Sequence, residues 1–375
     1  MGNQNYKILV VNPGSTSTKI AVFENDLKIF SKNIAHQASE LSEFNEVNEQ
    51  LEYRLNLIVK SLEEEKIELT SFDAVAARCG GTTSMDSGVY AINQTMLDDQ
   101  RSGKYVQHPA ILGAQIAHIL TEQYGGQAFI VNSPDVDEFQ DVARITGVKG
   151  IYRESKIHAL NQKEVALRFA EKQGKNYDSL NLIIAHIGGG VSVTAHHYGK
   201  MIDSNDISNG DGPMAPTRIG FMPAKSMLAM GADNVKAGMA LLTKTGGLVS
   251  HLGTSDVLEV KAMIESGNAY AKLIYEAFIY QIGKAIGAMA ATLHGEADGI
   301  ILTGGIAHDD ELVEKLKAMI GFIAPVTVMA GEFEMEALAA GAIRVLSNQE
   351  KAKEYKGQPV WSPKKFSDKF SLSVN

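Results

Sequence analysis

The sequence predicts an α/β protein of two similar domains that face each other across a cleft. Its 375 residues, 45% of them hydrophobic, exceed the roughly 250 to 300 residues at which a single core stops growing. A strand, turn, strand pattern occurs twice. Helical and strand-like patterns alternate along the rest of the chain, which is typical of the α/β class.

The repeated pattern occupies residues 7–34 and 181–203. The first copy reads KILVVN, PGSTST, KIAVFEND and LKIFSKNI, and the second reads NLIIAH, IGGG, VSVTAHHYGK and MID. When Asn12 is aligned with His186, Gly14 falls on Gly188 and Ala21 on Ala195. A duplicated unit of this kind favours two similar domains whose turns line a shared cleft.

The remaining elements follow from hydrophobic periodicity. Residues 110–123 and 156–173 have helical spacing, and AFIVN at 128–132 resembles a strand. A long helix is predicted from about Ala271 to His294, followed by the strand IILTGG. Its apolar stripe comprises Phe278, Ile282, Ile286, Met289 and Leu293.

The domain boundaries follow from the repeat and the last helical pattern. GEFEMEALAAGAIRVL is expected to pack back on the first domain, and the Lys- and Ser-rich tail after Ser347 to be a solvated terminus. The first domain therefore comprises residues 1–178 and 338–375. The second domain comprises residues 179–337.

Composition excludes several classes of function. The formal net charge of −9 argues against a nucleic-acid partner, which attracts clustered Lys and Arg. The one cysteine, Cys79, excludes an intramolecular disulfide and a cysteine-based zinc site. No apolar run reaches the length of a membrane span, and the N-terminus does not resemble a secretion signal. We expect a cytoplasmic protein without a membrane partner.

Three turns rich in small residues follow predicted strands, at Asn12 to Thr18, His186 to Gly190 and Thr303 to Ile306. Such turns present backbone N–H groups that can bind phosphate oxygens. Lys19 adds a compact cation beyond the first turn. Neither a G-x-x-x-x-G-K-[ST] loop nor a G-x-G-x-x-G fingerprint occurs in the chain, so those nucleotide-binding folds are not indicated.

The ordered motifs VVNPGSTSTKIAVF, IHALNQK, AHIGGGVSV, NGDGPMAP-x-R, LGTSD and LTGGIAH together resemble the butyrate kinases of the acetokinase family, from about residue 6 to 346. That family belongs to the superfamily of acetate kinase, sugar kinases, heat-shock ATPases and actin. The resemblance implies duplicated actin-like ATPase (ribonuclease H-like) domains across a nucleotide cleft. It also implies reversible phosphorylation of butanoate by ATP with Mg²⁺, and a homo-oligomer that is a dimer or is built from dimers.

The resemblance also implies roles for individual residues. Residues expected to be catalytic, because they hold the acid and the transferring phosphoryl group, are Arg78, His158 and Arg218. Residues expected to contact ATP are Asn12, Ser15, Ser17, Lys19, His186, Gly188, Gly189, Gly190, Asp256, Gly304, Gly305 and Ile306. Asn12 and Glu336 are expected at the metal.

These residue types suit the chemistry that the resemblance implies. A carboxylate is already a nucleophile at pH 7, so catalysis requires alignment and neutralisation of charge on the phosphoryl oxygens and no general base. The guanidinium of Arg218 can fork onto two oxygens. His158 can donate a hydrogen bond to the transferring group.

The chain departs from the butyrate kinase pattern on the acid side and the adenine side. Two leucines are replaced by Thr82 and Thr83, and an arginine expected after the LGTSD motif is replaced by Leu258. Further departures are Asn132 and Thr217, where acidic residues are expected, and Phe333, where asparagine is expected. The changes leave open a different short-chain acid, such as propionate, isobutyrate or another branched acid, a different nucleotide, or weak catalysis.

Two further functions compete with a carboxylate kinase. A sugar kinase on the same fold would phosphorylate an alcohol and would need a catalytic aspartate as base. Asp137 and Asp211 are the candidates for that base. A nucleotide-binding paralogue that has lost its chemistry would retain only the phosphate loops.

Overall fold

The computed structural model describes residues 5–370, without the side chains of residues 231–233. Its contacts divide the chain into two compact units. Unit 1 comprises Met1–Asp137 and Phe333–Val374, and unit 2 comprises Glu138–Glu332. Residues 138–178 thus make their contacts with unit 2. The domain boundaries at 178/179 and 337/338 stay a prediction.

Within the described range the chain forms strands and helices in alternation. The strands are β1 Lys7–Pro13, β2 Ser17–Glu24, β3 Leu27–Ala35, β4 Ala74–Ala77, β5 Val89–Ala91, β6 Gln127–Val131, β7 Asn181–Ile187, β8 Val191–His197, β9 Lys200–Ser204, β10 Gly299–Gly304, β11 Val326–Ala330 and β12 Lys353–Glu354. The helices are α1 Ala38–Leu41, α2 Leu51–Glu64, α3 Gln94–Ser102, α4 Leu112–Tyr124, α5 Ala159–Lys172, α6 Ala224–Asp233, α7 Val235–Thr243, α8 Gly247–Leu252, α9 Val257–Glu265, α10 Ala269–Thr292, α11 Asp310–Ile320, α12 Glu334–Leu346 and α13 Pro363–Lys369.

Unit 1 contains a mixed sheet in the order β12-β5-β6-β4-β1-β2-β3. β1, β2 and β3 form an antiparallel meander, and β4 and β6 extend the sheet parallel to β1. The interior of β1 is a β-branched, apolar run that is fully buried, as expected for a central strand. α2 and α4 contribute Ile58, Leu62 and Ile116 to the same core cluster as β1 and β4.

Unit 2 repeats this design in a sheet of order β11-β10-β7-β8-β9. β7, β8 and β9 form the antiparallel meander, and β10 and β11 extend it in parallel. An offset of 174 residues carries both ends of β1 onto those of β7. The structure therefore confirms the repeat, and its helices and mixed sheets confirm the α/β class.

The long helix α10 provides most of one face of the unit 2 core. It is shifted by two residues at each end from its predicted bounds. All five residues of its predicted stripe are buried and lie in the unit 2 cluster. α4, α5, β6, β10 and α12 also form where periodicity predicted them, because each carries an apolar face that its sheet covers.

The C-terminal tail differs from the solvated terminus expected after Ser347. Tyr355 is buried, and its hydroxyl donates to Asp99 Oδ2 at 2.6 Å and accepts from the Thr83 amide at 2.9 Å. Phe366 of α13 is also buried. The expectation was wrong because the aromatic residues in this Lys-rich segment anchor it to the rest of unit 1.

None of the helices in the described part of the chain is both long enough and apolar enough to cross a membrane.

Candidate functional site

The first small-residue loop connects β1 to β2 in unit 1. Asn12 pairs with Lys19 across the two strands, and the amide of Gly14 donates to the Ser17 carbonyl at 2.7 Å. Asn12 is buried, whereas Ser15 and Lys19 are exposed and Ser17 is half-buried. The loop therefore presents two hydroxyls and one ammonium group beside a tight backbone turn.

Arg54 of α2 lies beneath this loop and is fully buried. Its Nη1 donates to the Gly14 carbonyl and to the Thr18 hydroxyl, both at 2.9 Å, and more weakly to the Ser17 carbonyl. Its Nε and Nη2 donate to Gln50 Oε1. Sequence reasoning missed this residue. The available signal was a cation at position 54 on the buried stripe of α2 that continues with Ile58 and Leu62.

Arg54 also sets the charge state of its surroundings. No carboxylate within residues 5–370 pairs with it, and burial lowers the pKa of its guanidinium to about 10. His36 shares the Thr18 hydroxyl, at 2.9 Å from Nε2. Burial, and secondly the positive charge of Arg54, lower the pKa of His36 to about 4. His36 is therefore neutral at physiological pH, and Arg54 keeps a buried positive charge under the loop.

A carboxylate of α12 joins two of the predicted site residues in unit 1. Glu334 Oε1 lies 2.7 Å from Nη1 of Arg78, and Glu334 Oε2 accepts from the Asn12 amide at 2.9 Å. Glu336, the predicted metal-site residue, forms an ion pair with Lys28 at 2.9 Å instead. Sequence reasoning missed Glu334, although both glutamates lie in the first turn of α12.

The second loop, His186 to Gly190, connects β7 to β8 in unit 2. The amide of Gly188 donates to the Gly190 carbonyl at 3.0 Å, and the hydroxyl of Thr217 donates to the Gly189 carbonyl at 3.1 Å. Arg218 lies directly against Gly190, where an added β-carbon would overlap Nη1. A side chain at position 190 would therefore have to displace the guanidinium from its present place.

Arg218 is the one guanidinium of the predicted site with buried nitrogens that lack a partner. Its Nε and Nη1 have no hydrogen-bond partner in the described part of the chain. Burial lowers its pKa, although Asp206 opposes that shift. An unsatisfied buried donor costs about 1 to 3 kcal/mol, and more when the group is charged. An anionic ligand would satisfy both nitrogens.

Two histidines stack beside the second loop. The rings of His158 and His186 are 3.9 Å apart with an interplanar angle of 17°. His158 precedes α5, and its Nδ1 lies 2.9 Å from the Ser192 hydroxyl. His186 is the last residue but one of β7, and its Nδ1 lies 3.0 Å from Oδ1 of Asn161. The structure thus brings together two residues that the sequence placed in different roles.

The third loop, Gly304 to Ile306, follows β10 and packs on the end of β7. Gly304 has a φ of +90°, and an added β-carbon would meet the backbone of Ile187. Gly305 and Ile306 begin a short 3-10 helix. Asp256 is exposed and caps α9 by accepting from the Leu258 amide at 2.8 Å. The second and third loops are therefore neighbours in unit 2.

α9 is also tied to the third loop. Lys261 of α9 forms an ion pair with Asp309 at 2.6 Å, just after that loop. Leu258 is 76% exposed, so this departure from the family pattern adds no contact to the core.

Two other departures from the family pattern have structural roles within unit 1. Asn132 has a φ of +40° and its Oδ1 accepts from the Gly88 amide at 2.7 Å. Asparagine tolerates this left-handed conformation better than most residues. Thr82 is buried, and its hydroxyl and amide both lie 3.1 Å from Oδ2 of Asp135.

Oxygen donors that could help to hold a divalent metal lie beside the first loop in unit 1. No cluster of three or more His, Cys, Asp or Glu side chains that could hold a metal occurs among the described residues. Magnesium, however, takes one or two protein oxygens and completes its shell with phosphates and water. The Glu334 carboxylate beside Asn12 fits that requirement.

Comparisons with known proteins agree on one family. The Acetokinase family model matches residues 145–324. "Probable butyrate kinase" from Clostridium botulinum (strain Alaska E43 / Type E3) is 43% identical over 353 residues, which cover 93% of this chain and 99% of that protein. "Butyrate kinase 2" from Clostridium acetobutylicum is 42% identical over 354 residues, which cover 94% and 99%. The crystal structure of Porphyromonas gingivalis acetate kinase has a TM-score of 0.72 at 20% identity, and the match covers 91% of this chain and 100% of that chain.

Proposed function

The chain belongs to the acetokinase family, and on that premise we propose that it phosphorylates the carboxylate of a short-chain fatty acid with ATP, butanoate before other acids. It is a phosphotransferase with a carboxyl group as acceptor. Its two units have the actin-like ATPase fold that the sequence predicted. The reaction converts butanoate and ATP into butanoyl phosphate and ADP, and it is reversible.

The half-buried Arg218 is the observation that carries the proposal. A guanidinium with two unsatisfied buried nitrogens, held against a glycine loop, is suited to an anion that is present only during the reaction. In the transition state the transferring phosphoryl group spreads its negative charge over three oxygens. Arg218 would neutralise that charge, and His158 would donate a hydrogen bond to it.

The reaction requires no general base. A carboxylate oxygen of the acid forms a bond to the γ-phosphorus of ATP, and the bond from that phosphorus to the β,γ-bridging oxygen breaks, which leaves ADP. The attacking oxygen carries no proton at neutral pH, so the protein aligns the groups and neutralises charge. Arg78, which is held by Glu334, is proposed to contact the carboxylate of the acid.

The nucleotide is proposed to bind the three small-residue loops. Ser15, Ser17 and Lys19 supply hydroxyls and a positive charge in unit 1. In unit 2 the phosphate ligands are proposed to be His186, Gly188, Gly189 and Gly190, and the adenosine ligands Asp256, Gly304, Gly305 and Ile306. Support for the second set is that Gly304 packs against the backbone next to His186.

A divalent metal accompanies ATP in acetokinase-family kinases, and here we propose Mg²⁺. Asn12 and Glu334 would hold it, with Glu334 taking the role that the resemblance gave to Glu336. Bound at the phosphates, the ion would neutralise part of their charge. Glu334 supports this role because its carboxylate contacts Asn12, whereas Glu336 contacts Lys28.

The competing sugar kinase is disfavoured by the position of its candidate base. Asp211 forms an ion pair with Arg153 at 3.0 Å and also accepts from the Asp206 amide. An alcohol would have to compete with that guanidinium and that amide for the carboxylate of Asp211. Asp137, the other candidate, is buried in unit 1.

The acid specificity is proposed to depend on the segment after Arg78. Thr82 and Thr83 replace two leucines of the family pattern, and Tyr355 of the tail fixes the Thr83 amide. Because this replacement changes both the size and the polarity of the segment, propionate and isobutyrate belong in the same assay as butanoate. We further propose that the enzyme acts in the cytoplasm as a dimer or an assembly of dimers.

Trapping of the product with hydroxylamine tests the function. Purified protein is incubated with ATP, Mg²⁺ and one acid from a panel of acetate, propionate, butanoate and isobutyrate, and the acyl hydroxamate is measured. We expect the highest rate with butanoate. If ATP were consumed only when a polyol replaced the acid, the protein would be a sugar kinase. If it bound ATP but formed no product with any acceptor, it would be a paralogue without activity.

A further inference from the structure

A buried row of hydrogen bonds runs behind His158 in unit 2. It passes from Tyr177 through His196 and Gln162 to Ser192, whose hydroxyl lies 2.9 Å from Nδ1 of His158. His196, Gln162 and Ser192 are all 0% exposed. None of these four residues has a part in the reaction described above.

The side-chain amide of Gln162 sets the direction of the row. Its nitrogen lies 2.7 Å from the Ser192 hydroxyl and 3.3 Å from the Ser192 carbonyl, and that carbonyl can only accept. Its oxygen therefore faces Nε2 of His196 at 3.0 Å, which must donate. Burial, and secondly the charge of Lys163, lower the pKa of His196 far below its usual value. His196 is thus neutral, and its Nδ1 accepts from the Tyr177 hydroxyl.

The same direction determines the state of His158. The Ser192 hydroxyl accepts from Gln162, and among the described residues Nδ1 of His158 is the one atom placed to accept its own hydrogen. A neutral imidazole that accepts at Nδ1 carries its proton on Nε2. We infer that Gln162 and Ser192 are positioning residues that hold neutral His158 with its proton on Nε2, ready to donate a hydrogen bond to the transferring phosphoryl group.

Asn161, the neighbour of Gln162 on α5, sets the opposite hydrogen-bond direction at the ring of His186, which stacks on His158. Its Oδ1 faces Nδ1 of His186 at 3.0 Å and also accepts from the Thr303 hydroxyl at 3.3 Å. His186 therefore donates from Nδ1. The two adjacent amides thus set opposite directions for the Nδ1 hydrogen bonds of the two stacked imidazoles, since His158 accepts at Nδ1 and His186 donates from it.

Nuclear magnetic resonance of the wild-type protein tests the assignment directly, and a substitution serves only to identify the His158 signals. The chain has 10 histidines, and labelling them with ¹⁵N allows each tautomer to be read from ring nitrogen shifts and their proton couplings. The His158 signals are identified by their loss in His158→Gln. We expect protonated Nε2 and bare Nδ1 on neutral His158. Protonated Nδ1 with bare Nε2 would overturn the inference.

The variant Gln162→Glu should reverse the direction of the hydrogen bonds from position 162 through Ser192 to His158. A carboxylate only accepts, so the Ser192 hydroxyl turns toward it and His158 donates from Nδ1, which leaves Nε2 bare. We expect kcat at pH 8 to fall by at least about tenfold, with KM for ATP within about twofold of wild type. As pH falls, protonation restores hydrogen at Nε2, so kcat of the variant should rise relative to wild type.

Other titratable groups lie around the row, and dividing kcat of the variant by kcat of the wild type at each pH removes their contribution. These groups are His196, Tyr177, the Lys163–Glu138 ion pair and His186, whose ring stacks on that of His158. Ser192→Ala is the matched comparison, because it removes the donor without imposing the opposite tautomer. Its kcat should lie between those of wild type and Gln162→Glu. A flat relative pH profile for Gln162→Glu, or a larger loss in Ser192→Ala, would contradict the inference.

The kinetic consequence rests on the proposed function, whereas the tautomer does not. Wild-type protein that forms no hydroxamate with any acid would refute the function and leave the ring shifts as an independent result. Wild-type protein that is active but has protonated Nδ1 on His158 would refute only the positioning roles.

Discussion

The two copies of the strand repeat place different chemistry at the same turn. In unit 1 the turn after β1 carries hydroxyls and is held from beneath by Arg54, whose donors all reach acceptors of the loop or Gln50. In unit 2 the turn after β7 is nearly all glycine. Arg218 lies on that turn, and two of its nitrogens have no partner in the described residues.

The difference shows how one scaffold supports two uses of arginine. A guanidinium with satisfied donors fixes the shape of a loop and contributes charge from behind it. A guanidinium with unsatisfied donors is costly to the resting protein and is available to a ligand. Arg54 is therefore expected to affect binding of the nucleotide, and Arg218 the rate of phosphoryl transfer.

The largest expected effect follows from removal of Arg218. Arg218→Ala should lower kcat by about 100- to 1,000-fold, as loss of a group that stabilises transition-state charge does. Gly190→Ala should also lower kcat, because its β-carbon would displace the guanidinium of Arg218. Initial rates of hydroxamate formation, with thermal melting as a check on folding, measure both.

A glycine of α10 supplies the matched control. An added β-carbon at Gly287 would meet no atom within 4 Å, and alanine favours a helix by up to about 1 kcal/mol. Gly287→Ala should retain full activity. If Gly190→Ala were as active as Gly287→Ala, the contact between Gly190 and Arg218 would have no catalytic importance.

The next effect separates the two glutamates of α12. Glu334→Gln should lower kcat by about 10- to 100-fold and weaken the response to Mg²⁺, because it removes the charge beside Asn12 and Arg78. Glu336→Gln should change kcat by less than about twofold, since its partly exposed pair with Lys28 contributes at most about 1 kcal/mol. The reverse order in a magnesium titration of kcat would restore Glu336 to the metal site.

Arg54→Met is expected to act on nucleotide binding. It removes the donors that hold the Gly14 carbonyl and the Thr18 hydroxyl, so KM for ATP should rise about tenfold and stability should fall by about 2 kcal/mol or more. Arg101→Met, which removes an exposed pair with Asp98, is the control. A normal KM for ATP in a folded Arg54→Met protein would assign Arg54 a structural role alone.

The last prediction concerns the pH dependence of the free energy of unfolding. The pKa of folded His36 is lowered to about 4 from 6.5, so the unfolded chain takes up this proton first as pH falls. Stability from neutral His36 is therefore present above about pH 6.5 and is lost toward pH 4, by at most about 3 kcal/mol. Urea unfolding at pH 7.5 and 4.5 should show a smaller loss for His36→Gln. Equal losses would mean that His36 titrates normally.

Much of the fold could be predicted from the sequence, because its strongest signals are local. The runs that form β1 and β7 are continuous apolar strands, and the stripe of α10 keeps helical spacing from Phe278 to Leu293, about four turns. The tail was less predictable. Two aromatic residues, Tyr355 and Phe366, are buried within a Lys-rich segment whose composition resembles a solvated terminus.

The site could be predicted where its residues lie on motifs, and not where a contact spans the chain. The pairing of Glu334 with Arg78 joins residues 256 positions apart, and no spacing rule distinguishes Glu334 from Glu336. Gln162 and Ser192 lie inside the quoted motifs, yet their role depends on the orientation of an amide and a hydroxyl. Such orientations become evident only when the acceptors around them are known.

Formation of ATP from ADP and butanoyl phosphate tests the account most directly, because it requires transfer of the phosphoryl group from the carboxylate oxygen of the acyl phosphate to ADP. Luciferase luminescence measures the ATP produced. We predict rapid formation by the wild-type protein and by Gly287→Ala, and a rate at least about 100-fold lower for Arg218→Ala. Absence of ATP with the wild-type protein, or an equal rate for Arg218→Ala, would contradict the account.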